Sequence, residues 1–451
     1  MIVLRPLVVL LMLLSTHPGC RLHQPPGAAS SQNAVAMGSW PDWHDLAPLV
    51  EVARGHVSRN TMVALERASH LLRKQRAHAA DAVLAEVADA DGRHWIAVAR
   101  ADLAALHFET CIRGVAWRLS DSSAAKRTVD YDRTTTVEAG DISVEAMLTN
   151  LDAAMNANVA ALTVQARIAR ARVAAYVNRC PPNPQVAELS EQRMKNDLAQ
   201  LAAEGHLTPD LAYLWASVQM NEYSGAAARP FLLQAQEGGF DDPSVVYLLA
   251  TIALEQRALA DAEKLAREAE RRYRQVNDPA LEAQARFLQG EIARARKQSR
   301  IAKQHWHRAL ALSPKHAAAT LALTQQLASE NGRSAAVDYL VKRLPALVGT
   351  ERLAPEQASS AAAALEAVVI LVSEPELASV CREALLVDID KDPDPTRRGI
   401  RYFYAATLDA RLGDYETARG HGVLARDEFS DVGDAPPVDV DAFLKQLESA
   451  G

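Results

Sequence analysis

The chain has 451 residues, room for two or three domains or one long repeat array, so core size sets no limit on the fold. Apolar residues make up 49% but aromatics only 5%, a balance weighted to Ala and Leu that suits close-packed helices better than sheets. The net charge of −7 excludes the basic footprint of a nucleic-acid binder, and basic runs such as REAERRYR from Arg267 carry acidic neighbours that mark a solvated helix face.

At the N-terminus, Arg5 is the sole charge before an apolar run from Leu7 to Leu14, too short to span a bilayer as a helix. Ser15-Thr16-His17-Pro18-Gly19-Cys20 follows, and a small residue directly before a cysteine at this place resembles the lipobox of bacterial lipoproteins. The resemblance implies a leader over residues 1–20 and a lipid on Cys20, with Arg21 in place of Asp directing the protein to the outer membrane, facing the periplasm. His17 and Pro18 depart from the family's aliphatic and small residues, and two alternatives stand beside it: cleavage after Ala36 with soluble export, or an uncleaved anchor. Residues 21–41, rich in Pro, Gly, Ala, Ser and Gln, read as a flexible tether.

Three cysteines remain, Cys111, Cys180 and Cys381, without CxxC or zinc-ligand spacing, so neither a metal nor a cofactor is expected. Cys111 with Cys180 is the favoured disulfide, since both fall in the N-terminal half near helix ends; the alternative is three buried, unpaired thiols.

Residues 42–204 read as an N-terminal helical domain. Helices are predicted over Thr61 to Gln75, His78 to Ala90, His94 to Trp117, and one long stretch from Ser143 to about Asn178 that Cys180-Pro181-Pro182 ends. A polar insertion at 121–141, with alternation at Val129, Tyr131 and Val137, is either a β-excursion or a loop. Its Asp130, Asp132 and Glu138, with His94 or His107 as bases, are the only carboxylate and base set that keeps an enzyme reading alive, and no spacing supports a reaction. No catalytic residue is expected, and no small-molecule substrate is evident.

The repeats begin after residue 204, over 205–350, and continue in 351–451 with a capping helix. Their clearest unit runs from Gly290 through Ala302, Trp306 and Ala309 to Pro314. Small residues let the two helices of a hairpin approach closely, Trp306 fills the wedge between neighbouring hairpins, and Pro314 stops the second helix. Ala250, Ala262, Ala266 and Ala269 stand at the same offsets as Gly290, Ala302, Trp306 and Ala309, one unit earlier. Ala336 and Leu340 repeat the offset of Ala302 and Trp306 one unit later, after a shorter step, and Tyr402, Ala406, Gly413, Tyr415, Ala418 and Ala425 match again. Asp409 and Gly422 break the last unit's apolar pattern. These residues resemble the tetratricopeptide repeat, and Ala227, Phe231, Ala235 and Gly238, with Tyr213-Leu214-Trp215 before them, resemble its longer Sel-type relative.

The resemblance implies an all-α fold, an α-solenoid of helical hairpins, with a protein- or peptide-binding role. On the family's geometry the partner-facing residues would be Tyr247, Thr251, Gln284, Phe287, Glu291, Arg294, Gln325, Phe403, Thr407 and Arg411. Function is therefore expected to be that of a lipid-anchored envelope scaffold, with a soluble periplasmic chaperone or assembly factor as the alternative.

Two sharper motifs fit poorly. Asp388, Asp390, Asp392 and Asp394 alternate as calcium ligands do, but Pro393 and Gly399 stand where such a loop needs Gly and Glu. His305 and His307 flank Trp306 about 100° to either side on a helix, so they do not converge on one metal.

Overall fold

The computed structural model describes residues 46–74, 77–87, 92–105, 144–179, 184–430 and 436–450. Among these every regular element is helical, and the helices pack as adjacent pairs, consistent with an all-α array of stacked hairpins. No described helix is long and apolar enough to cross a membrane. The chain divides into two compact units between Ile252 and Ala253. This boundary lies inside the stretch that the repeat spacing marks as continuous.

The first unit holds α1 (Ala47–Ala53), α2 (Arg59–Arg73), α3 (Ala77–Ala85), α4 (93–105), α5 (Val144–Met155), α6 (Ala160–Arg179), α7 (Pro184–Glu204), α8 (Pro209–Glu222) and α9 (Gly225–Glu237), and α10 (Pro243–Glu255) carries the division. Leu49, Leu65, Leu84, Leu151 and Leu162 centre its core. The predicted single helix from Ser143 to Asn178 is two helices. Asn158 takes φ 57°, a left-handed conformation that Asn tolerates better than most side chains, and it separates α5 from α6. The end before Cys180 is where expected, at Arg179.

Arg172 on α6 is buried and joins Asp210 of α8 (Nε–Oδ2 2.8 Å) to Asp102 of α4 (Nη1–Oδ1 3.0 Å). Burial opposes its charge, and the two carboxylates more than offset that, holding the guanidinium protonated at all accessible pH.

The second unit holds α11 (Leu259–Gln275), α12 (Pro279–Ala295), α13 (Ser299–Leu312), α14 (Ala317–Asn331), α15 (Arg333–Val348), α16 (Pro355–Leu371), α17 (Pro375–Leu386), a 3₁₀ turn (Ile389–Lys391), α18 (Pro395–Arg411), α19 (Tyr415–Ser430) and α20 (Val440–Ala450). Sequence explains many of the helix starts. Pro209, Pro279, Pro355, Pro375 and Pro395 open their helices where a missing N–H does no harm, and Ser58, Ser224, Asp278 and Asp394 accept a backbone N–H as N-caps.

The turns also repeat. Lys297 (φ 63°) closes α12 with Gln298 N donating to Ala293 O at 2.9 Å. One unit earlier Arg257 (φ 63°) does the same, with Ala258 N donating to Ala253 O at 2.9 Å. Gly413 (φ 82°) ends α18 likewise, with Asp414 N to Asp409 O at 3.0 Å. Each turn satisfies helix-end carbonyls with a left-handed residue, so the step from one unit to the next is a step in backbone geometry as well as in side-chain spacing.

The small residues of the repeat all pack. Ala250, Ala262, Ala266, Ala269, Ala302, Ala309, Ala336, Ala418 and Ala425 are each 0% exposed. Within the second unit, α12 packs on α13, α14 on α15 and α18 on α19, while α14 also meets α16, α16 meets α18, and α15 meets α17. First helices thus neighbour first helices, and second helices neighbour second. In the α8–α9 pair the ring contacts Trp215–Phe231 (6.3 Å) and Tyr213–Phe240 (5.1 Å) tie the hairpin together. Ala235 is fully buried as its offset predicts, whereas Ala227 is half-buried and the neighbouring Ala228 is the one fully enclosed.

Candidate functional site

Four of the predicted partner-facing residues converge. Phe287, Glu291 and Arg294, on successive turns of α12, share one groove with Gln325 on α14. Ala318, Leu321 and Ala322 of α14 form part of its floor, and Leu371, Ser373, Glu374 and Leu377, around the turn from α16 to α17, close it. The groove encloses only about 40 Å³, room for a few waters or one protruding side chain, against the ~300–1,000 Å³ of a small-molecule pocket.

Phe287 is 3% exposed and rests against His316 (ring centroids 5.3 Å), so it is a floor and core residue at once. Glu291 is 6% exposed. Burial pushes its carboxyl up, and Arg294, whose Nη2 donates to Glu291 Oε2, partly opposes this. The Trp306 indole N–H also favours the charged carboxylate, yet it falls outside hydrogen-bond geometry and finds no acceptor. At the other rim Gln325 Nε2 donates to both oxygens of Glu374, at 3.1 Å each.

The other predicted positions have other work. Tyr247 and Thr251 are each 1% exposed, in the first unit, so neither presents an accessible surface there. Thr251 Oγ1 donates to Tyr247 O at 3.1 Å, a bond within the helix. Gln284 is half-buried on α12, outside the groove lining. Phe403 packs edge-on against Tyr404 and Phe443 (5.2 and 5.4 Å), and Thr407 bonds back to its carbonyl. Arg411 Nη1 donates to Val369 O and also lies 3.5 Å from Val372 O, satisfying the C-terminal carbonyls of α16. Spacing alone does not separate these structural duties from a binding role.

Cys20, Cys111 and Cys180, the 121–141 insertion with Asp130, Asp132 and Glu138, and His107 lie outside the described residues. Cys381 is a buried free thiol on α17, pushed up to about 12 by burial. His94 is half-buried and pushed below the usual histidine value by burial and then by Arg93.

The aspartate run has its own partners. Asp392 receives Arg397 (2.6 and 2.7 Å), with Arg401 alongside; Asp388 pairs with Lys391 (2.7 Å) and Asp390 accepts from Tyr402 (3.0 Å). Asp394 caps α18. The carboxylates that alternate in the sequence are thus dispersed among cations and backbone donors, and no cluster of metal-ligating side chains occurs among the described residues. Asp409, the polar residue at an expected apolar place, is 0% exposed and held by Arg382 (2.9 Å) and His421 (2.7 Å).

The missed groove residues, Leu321, Leu371, Glu374 and Leu377, stand on a later hairpin and on a turn, where no local spacing marks them. No protein-family model matches this chain, and no curated protein matches it.

Proposed function

We propose that this protein is an exported, lipid-anchored helical-repeat scaffold of the bacterial cell envelope, of tetratricopeptide type, that holds a segment of another protein in the α12–α14 groove. The observation that carries the reading is the convergence of Phe287, Glu291, Arg294 and Gln325 on one narrow, apolar-floored groove between consecutive hairpins. Its size suits a side chain of an extended or helical segment rather than a whole small molecule. The short apolar run ending at Gly19-Cys20 and the polar tether after it support the anchor. A soluble periplasmic chaperone would share the groove and lack the lipid.

A photo-crosslinking residue at Gln325, compared with one at the exposed Lys264, tests the groove in intact cells. One recurrent envelope adduct at 325 and none at 264 is expected; no adduct, or equal labelling at both, rejects the groove. A smear of many exported chains at 325 supports the chaperone instead. Fractionation of wild type beside Cys20→Ser reads the anchor: membrane association lost only in the variant is expected, and unchanged association rejects lipidation.

A further inference from the structure

Resting on the groove reading above, we propose that the α12–α14 groove selects a basic-apolar segment of its protein partner, with an aliphatic side chain on the groove floor and a lysine or arginine reaching Glu291 and Glu374.

Charge comes first. The lining carries two carboxylates, Glu291 and Glu374, and one cation, Arg294. One carboxylate therefore lacks a counter-charge within the groove. An acidic segment would meet repulsion there, and a neutral one would leave the imbalance in place.

Bonding capacity points the same way. Glu291 is nine-tenths buried, and Arg294 takes only Oε2. Oε1 accepts no hydrogen bond from any described residue, though an ionised carboxylate has about four lone-pair sites. Oε1 is not one of the fully enclosed atoms that lack a partner, so it stays open to a donor entering the groove. An ammonium or guanidinium there would favour the charged carboxylate that burial disfavours. Gln325, by donating to both oxygens of Glu374, holds the second carboxylate at the rim.

The floor sets the rest. Phe287, Leu321, Leu371 and Leu377 present carbon, and the enclosed volume of about 40 Å³ admits an aliphatic tip but no ring. A cation has a short reach to both acids only if it follows or precedes that tip closely in sequence.

Three fluorescein-labelled decapeptides test this against the full chain by anisotropy, each with a central leucine flanked by lysines, serines or glutamates. The lysine peptide is expected to bind tightest. Its affinity is expected to fall about tenfold in Glu291→Gln, where a buried charge is removed, and about threefold in Glu374→Gln, which is exposed. Ala322→Arg, which fills the floor and adds a competing cation, is expected to abolish binding, with unchanged helical circular dichroism as the control for folding. Serine and lysine peptides binding equally, both lost in Ala322→Arg, would overturn the charge selection while leaving the groove as a docking site. Lysine-peptide binding that persists in Ala322→Arg would show attraction to the acidic surface at large and overturn the assignment. Should no peptide bind while Gln325 still crosslinks one partner in cells, the basic-apolar specificity fails and the scaffold reading survives.

Discussion

Gly290 on α12 lies so close to Trp306 on α13 that a β-carbon at 290 would sit 2.3 Å from the indole Nε1 and 2.4 Å from Cδ1. Trp306 is 0% exposed, and the glycine exists to let that ring in. The tryptophan thus seals its own hairpin from within, as well as belonging to the core that continues into α14–α17.

Gly290→Ala is therefore expected to destabilise the second unit by about 1–3 kcal/mol through overpacking. Helix propensity alone predicts the opposite, a gain of about 1 kcal/mol. Urea unfolding followed by tryptophan emission decides between them. In the double variant with Trp306→Leu the two costs are expected to be less than additive, because the clash disappears with the ring.

Lys297 and Arg257 each hold φ at 63° without being glycine. Replacing either by glycine relieves a left-handed backbone strain of about 1 kcal/mol. A rise in the thermal midpoint is expected for both, and of similar size, since the two turns share one hydrogen-bond pattern. A fall in either would show that the long side chain contributes more than the strain removes.

His316 caps α14 with Nδ1 accepting from Ala319 N at 3.2 Å, and burial pushes its imidazole down to about 4. Its folded value lies below the unfolded value of 6.5, so the neutral form is native. The stability from keeping it neutral is full above pH 6.5 and is lost as pH falls toward 4, by about 3 kcal/mol at most. His316→Asn keeps a capping acceptor and removes the titration. Unfolding free energies measured from neutral pH down to about pH 4 are expected to fall less steeply in this variant, and identical slopes would rule out His316 as a source.

In the first unit, Asp210→Ala leaves Arg172 buried without the acid that meets its Nε and Nη2, while Asp102 still meets Nη1. A loss of about 3–5 kcal/mol is expected, the penalty of a buried charge stripped of a partner. Replacing the exposed partner Asp81 of Arg100 by alanine is expected to cost under about 1 kcal/mol, and chemical denaturation of both variants gives the comparison.

Much of the local order was legible. Ala262, Ala266, Ala269, Ala302, Ala309 and Ala336 were marked by offset alone, and each is fully buried, because helix–helix approach is governed by the volume at fixed steps of the helix. The groove was half legible. Phe287, Glu291 and Arg294 lie on one helix and share a face by periodicity, which a sequence displays. The tight packing of Tyr247 and the carbonyl cap by Arg411 were not legible, since a face position looks the same in sequence whether solvent or a neighbouring element covers it. The break at Asn158 did leave a signal, since Asn156, Asn158 and Val159 are poor helix formers and Asn tolerates the left-handed turn, but the apolar periodicity on either side outweighed it.

By itself, the sequence determined the helical class, several of the repeat turns, and which small residues allow close approach, for these follow from steric volume and backbone preference over short stretches of chain. Tertiary structure alone decided that Glu374, Leu371 and Leu377 meet Glu291 and Phe287, and that Asp392 of the aspartate run spends its charge on arginines. Those meetings depend on how one hairpin is rotated against the next, a quantity summed over many weak contacts and written in no single spacing.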